Sequence, residues 1–392
     1  MKKAKLKWLV ERSNAGEVID KSYWGSGAEL LYTCAKEPLI SDFSGFPAKK
    51  RTRPGDLLLT RNGTPYIHKP EPGSIYTNVV QRISAPSLNR DFLHYALQSR
   101  VLNFRGYGVS IESLNYEMWG NLDIWVTEKD HQAAIVDFLD RETGLIDGLI
   151  GKKTRFIGLL KEKRAAVITN AVIKGINPAA PMEDSEQDWL GRVPAHWDVV
   201  PPTALFTESK ERAREGDQML SATQKYGVIP LAEYEALEQR QVTMAVVNLD
   251  MRKHVELGDF VISMRSMDGG LERARAVGSV RSSYSVLKPG PDVEGRFYGA
   301  LMKSSLYIQA LRLTSNFIRD GQDLNFGHVR KVKLPKPDLH EQAAIADHIE
   351  AETARIDGLI TLTERSIDLL REKRAALNTA AVTGKIDVRA AA

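Results

Sequence analysis

Chemistry needs a constellation of side chains, and the 392-residue sequence offers several partial ones. Phe104-Arg105-Gly106-Tyr107-Gly108 has the spacing of a glycine loop that cradles a methyl-donor cofactor. It follows a helix-like stretch instead of a strand, and no Asn-Pro-Pro-aromatic or Asp-Pro-Pro-aromatic loop accompanies it, since Pro201-Pro202 is followed by Thr203. Gly148 to Thr154 (GLIGKKT) resembles a phosphate loop but lacks the glycine five places before Gly151 and lies inside a helical pattern. Lys336 to Gln342 (KPDLHEQ) opens like a Pro-Asp nuclease motif without the carboxylate-x-lysine that would hold a metal. The eight histidines show neither HxxxH nor HExxH spacing, and no base accompanies any Ser or Asp in a triad-like motif. The residues therefore point to binding, with no catalytic residue, no metal and no cofactor in this chain.

The elements that would carry such binding are written twice. The 46 residues from His131 return 210 positions later from Glu341, with 25 identities, a period far too long for a solenoid. Both copies read as one long helix with a single apolar seam at alternating steps of three and four. In the first copy the seam runs through Ile135, Leu139, Ile146, Leu149, Phe156, Leu160, Val167 and Ala171; in the second, through Ile345, Ile349, Ile356, Leu359, Leu370, Leu377 and Ala381. Asp338 and Glu341 have capping-box spacing before the second copy. A 40-residue helix would reach roughly 60 Å, the length of a spacer. Gly148 and Gly358 match, which predicts close backbone approach there, and Gly144, Gly151 and Gly158 predict a more easily bent first helix.

The segments before the helices also correspond. Pro54 to Gly63 parallels Leu257 to Gly270, each a Gly-Asp turn, a β-prone run and an arginine-containing loop; Asp91 to Ser99 parallels Arg296 to Ser304; Asn115 and Asn325 stand 210 apart before a closing apolar strand. The order is domain, helix, domain, helix: 1–130, 131–178, a linker at 179–188, 189–340, 341–386 and a tail at 387–392. The fold class is α+β, two mixed α/β domains related by a pseudo-twofold and joined by two long helices.

Composition adds exclusions. With 43% hydrophobic and 27% charged residues the chain is an ordinary globular one, and no apolar run spans a membrane. A single cysteine, Cys34, excludes an internal disulfide, and the basic start lacks an apolar signal core, so a cytoplasmic location is expected. The net charge of +4 is uninformative, because residues 179–340 carry 21 Lys+Arg against 22 Asp+Glu.

Two similar, nonidentical domains on spacer helices suit double-stranded DNA, entering major grooves at separate positions and reading an asymmetric target. Base reading calls for forked side chains on loops, flanked by phosphate-gripping cations. In the first domain Lys49, Lys50, Arg51, Arg53, Thr60, Arg61 and Asn62 fit this need. In the second, Ser221, Thr223, Gln224, Lys225, Arg265, Ser266, Arg281, Arg319 and Gln322 fit it.

The ordered combination resembles the specificity (S) subunit of type I restriction-modification systems. It consists of the duplicated EQxAI…ID…EKRxA helices, Leu190 to Trp197 (LGRVPAHW), Leu220 to Pro230 (LSATQKYGVIP), Gly258 to Gly270 and Arg281 to Pro289, and covers nearly the whole chain. The resemblance implies two target recognition domains, each reading one half of a bipartite sequence, and helices packed as an antiparallel coiled coil that sets the unread spacer. It further implies docking of two methyltransferase subunits, which bind S-adenosylmethionine, and recruitment of restriction subunits that use ATP and Mg. Glu162, Lys163, Arg164, Glu372, Lys373 and Arg374 are then expected docking contacts. One departure is that the first domain lacks the Pro-x-His-Trp opening of Pro194 to Trp197, which predicts an atypical start. A coiled-coil scaffold that binds only proteins is the alternative reading.

Overall fold

The computed structural model describes residues 1–101, 114–241, 251–263, 266–314 and 324–389. The chain divides into two compact units, Met1–Thr154 with Thr363–Ala392, and Arg155–Leu362. The division cuts both long helices, Lys129–Lys174 and Leu339–Val382, near their middles. Each unit is thus one domain packed on part of both helices.

In the first unit a four-stranded antiparallel sheet has the order Arg12–Ala15, Val80–Ser84, Leu57–Thr60, Ile67–His68. In the second, Phe206–Ser209, Ser285–Pro289, Phe260–Ile262 and Glu272–Arg273 form a sheet of the same order and sense. Each domain also pairs its opening strand with its closing one, Lys2–Lys5 with Asp123–Val126 and Asp198–Val200 with Leu334–Lys336. The four-stranded sheet therefore has one order in both domains, and the second domain carries a hairpin, Met182–Asp184 with Arg192–Pro194, ahead of His196-Trp197.

The apolar faces explain the packing. Phe92, Leu93 and Leu97 of the helix Arg90–Val101 share a core with Trp119, Ile135 and Leu139 and with Ala381 and Val382 of the second long helix. In the second unit Phe297, Tyr298 and Leu301 of the helix Gly295–Leu301 share one with Val172, Ile173, Ile345 and Ile349. In both units the numbering of one long helix rises as its neighbour's falls, so they run antiparallel there.

Two segments gain detail and one expectation is corrected. The linker at 179–188 is not irregular throughout, because Met182–Asp184 pairs with Arg192–Pro194. The tail at 387–392 is partly packed, with Val388 buried in the first-unit core. A Cβ at Gly144, Gly148, Gly151, Gly158 or Gly358 would meet nothing within 4 Å, so no close backbone approach calls for glycine there, and the first helix runs unbroken through its four. The Phe104–Gly108 loop lies outside the described residues.

Candidate nucleic-acid interface

In the first domain the basic segment divides into structural and exposed groups. Arg51 donates to both oxygens of Glu29, at 2.6 and 3.1 Å, and to Gly73 O at 2.6 Å. That guanidinium holds the Glu29 carboxyl below the usual carboxylate range. Lys50 Nζ pairs with Glu17 Oε1 at 2.6 Å. Both cations are committed to their own fold. Thr60 is corrected outright: it is fully buried, and its Oγ1 donates to Thr64 O and accepts from Tyr66 N–H, closing the loop it begins. Arg61 donates to Asn78 O at 3.2 Å. Lys49, Arg53 and Asn62 are the exposed members.

In the second domain the strands Leu220–Thr223 and Gly227–Pro230 form a hairpin. Thr223 Oγ1 donates to Gly227 O and accepts from Tyr226 N–H, so this half-buried threonine fixes the turn, while Gln224 and Lys225 at its tip are exposed. Gly227 has φ +79°, and a Cβ on it would fall 2.8 Å from Arg273 O, so glycine is required there. Ser221 is half-buried and Arg281 exposed. Ser266 is corrected: it is buried, and its Oγ accepts from Ser263 N–H. Arg265, Arg319 and Gln322 lie outside the described residues.

Sequence reasoning missed Lys303, which donates to Gln224 O at 2.6 Å and to Glu272 Oε2 at 2.8 Å and so braces the hairpin tip. A lone lysine after a short helix gives no signal of that role.

On the long helices Ile135, Leu139, Ile146, Leu160, Ile345, Ile349 and Ile356 are buried and Leu370 half-buried. Leu149 and Leu359 are corrected. They are 48% and 40% exposed, and the neighbouring Ile150 and Ile360 take the seam position. Phe156 is likewise exposed, beside buried Ile157. Arg164 and Arg374 are corrected as docking contacts: each donates to an aspartate of the other helix, Asp357 at 3.0 Å and Asp147 at 2.9 Å. Glu162, Lys163, Glu372 and Lys373 are exposed.

The second helix starts on half of the expected capping box. Asp338 Oδ1 accepts from Glu341 N–H at 2.8 Å, but Glu341 turns to accept from Trp197 Nε1 at 2.9 Å and lies 2.8 Å from His196 Nε2. The His-Trp pair thus ties the domain's opening to the helix that follows it.

Among the described residues no group of three His, Cys, Asp or Glu is placed to hold a metal ion, and no helix is long and apolar enough to cross a membrane.

The fold, two like-ordered domains each packed on antiparallel parts of two long helices, is that of type I restriction-modification specificity subunits. A chain from a structure of assembly and conformational transition in the type I R-M system is similar at TM-score 0.64 and 15% identity, over 98% of each chain. The HsdS subunit from Thermoanaerobacter tengcongensis is similar at TM-score 0.50 and 15% identity, over 98% of this chain and 97% of that one. No protein-family model and no curated protein matches the sequence.

Proposed function

We propose that this chain is the specificity subunit of a type I restriction-modification complex, non-catalytic itself, whose two domains each read one half of a bipartite asymmetric DNA target. The observation that carries the reading is the internal duplication, in which two domains share one four-stranded sheet order and differ in the loops they expose. Lys49, Arg53 and Asn62 are exposed in one, Gln224 and Arg281 in the other. Like frames give both domains the same approach to a groove, and unlike loops give different half-sites.

Two methyltransferase subunits, carrying S-adenosylmethionine, would dock on the helices, and restriction subunits with ATP and Mg would join through them. The charged KEKR and REKR segments are poorer docking candidates than a second apolar stripe one residue before the seam. It comprises Leu145, Leu149, Phe156 and Leu159 on the first helix and Leu359, Leu362 and Leu369 on the second, all exposed. Its spacings of three, four and seven residues suit a further helix.

The ruler role is tested by lengthening both helices together, with seven residues after Arg155 and seven after Arg365. Two turns keep the seam in phase and add about 10 Å, roughly three base pairs. The gap of the methylated motif should grow by about that amount with both half-sites unchanged. Altered half-sites would show that the helices are not the ruler. An insertion at 175–178 is unsuitable, because Gly175 (φ +71°) ends the first helix against Trp197 and Glu341.

A further inference from the structure

The second unit contains a cleft of about 370 Å³ between the strand Glu272–Arg273 with its continuation to Arg275, the helix Gly295–Leu301, Lys303 and the second long helix at Ala346–Glu350. Six cationic side chains, Arg164, Lys225, Arg273, Arg275, Arg296 and Lys303, line it against two carboxylates, Glu272 and Glu350. Residues 179–340 as a whole are slightly acidic, so this positive charge is locally concentrated.

Four of the six cations already have anionic partners. Arg164 holds Asp357; Arg296 holds Glu294, Asp347 and Glu350; Lys303 holds Glu272. Lys225 is exposed and only 3.6 Å from Glu238. Arg273 and Arg275 form no ion pair among the described residues. A Cβ at Gly295 would fall 2.7 Å from Arg273 Nε, so glycine is what lets that guanidinium lie across the start of the helix.

The duplication supplies an internal comparison. His94, Tyr95 and Gln98 of the first copy correspond to Gly299, Ala300 and Lys303 of the second. In the first unit Tyr95 fills its place and donates to Asp140 Oδ1 at 2.6 Å, and a smaller space of about 240 Å³ remains beside Gln98, Ser99 and Arg374. The second copy removes an imidazole and a phenol and replaces an amide by an ammonium. It is wider and more cationic at the same position.

Guanidinium and ammonium groups from three elements, around a floor of glycine and alanine that permits close approach, match a polydentate oxyanion. We infer that this cleft binds phosphate through Lys225, Arg273 and Arg275, supplied either by a DNA backbone or by a free phosphorylated ligand. The DNA source rests on the specificity-subunit reading, and the free source does not.

The test uses the full chain, titrated calorimetrically with inorganic pyrophosphate and, separately, with target duplex over a salt series. Two double variants are compared with it, K225A/R275A, which removes cations, and G299H/A300Y, which installs the first copy's bulk. A backbone contact predicts that K225A/R275A lowers the slope of log affinity against log salt by about 2 while half-site preference is kept. A free ligand predicts pyrophosphate binding that both variants weaken at least tenfold and an unchanged salt slope. If pyrophosphate gives no binding and both variants leave the slope unchanged, the inference is overturned, whatever the chain's DNA specificity. If duplex binding is absent but pyrophosphate binds and K225A/R275A abolishes it, the cleft stands and the specificity-subunit reading falls. K225A/R275A changes only exposed side chains, so it decides the matter even if G299H/A300Y fails to fold.

Discussion

Arg374 Nε lies 2.9 Å from Asp147 Oδ1, and the same bond recurs with its partners exchanged between the copies. Arg164, 210 positions before Arg374, lies 3.0 Å from Asp357, 210 positions after Asp147. Each helix therefore supplies one arginine and one aspartate, and the antiparallel register is fixed in both units by one device. These partners are half-exposed, so their worth is registry more than stability. A double-mutant cycle on Arg164 and Asp357 is expected to give a coupling below about 1 kcal/mol. The reversal D357R should lower the melting temperature, and adding R164D should restore it. A coupling of several kcal/mol would contradict this account.

The seam makes a sharper prediction. Ile146→Ala or Ile356→Ala empties a buried position and is expected to cost about 2–5 kcal/mol, whereas Leu149→Ala and Leu359→Ala should stay within about 0.5 kcal/mol of wild type. Chemical denaturation of the four variants checks it. Equal costs at neighbouring positions would refute the assigned seam.

Glu341 is the shared acceptor at the opening of the second domain. Glu341→Ala leaves the buried Trp197 indole N–H without its acceptor and is expected to destabilise the second unit by about 1–3 kcal/mol, with Glu341→Gln retaining most of that. Trp197 fluorescence during unfolding reports it directly.

The two units should respond oppositely to acid. Burial, aided by Lys69, pushes the His94 imidazole down to about 4. The native first unit therefore keeps it neutral while the unfolded chain protonates near 6.5. Stability present above that value is lost as pH falls toward 4, up to about 2 kcal/mol by pH 5. His254 is fully buried, and burial opposes its charge, but hydrogen bonds to Asp217 at 2.8 Å and Glu256 at 2.9 Å prevail and raise its pKa. Its stabilisation is complete below about 6.5 and is lost as pH rises through the higher native value. Hydrogen exchange at pH 5 and 7 should show faster opening of Arg90–Val101 and slower opening of Lys253–Val255 at the lower pH. Parallel responses would contradict the assignment, and His254→Ala should abolish the second.

The helices were legible because a repeat at a fixed offset of 210 residues and a sustained three-four spacing can be read from sequence alone. Their phase was misread where a polar residue occupies the seam. Thr143 and Thr353 are buried there with each hydroxyl donating back to its own helix, to Leu139 O and Ile349 O. Omitting them makes Leu149 look as good as Ile150. The loops were less legible for a different reason. Thr60 and Ser266 became structural through bonds to nearby backbone, and Arg51, Arg164 and Arg374 through carboxylates 22, 193 and 227 residues away. No spacing rule reveals which surface cation has found such a partner.

The central claim is tested most directly by the methylome of a strain expressing this chain with a cognate methyltransferase subunit, read by long-read sequencing. The account predicts one new methylated motif, asymmetric, with two specified parts separated by an unspecified gap of fixed length. A motif without a gap, or no new motif although the complex forms, would contradict it.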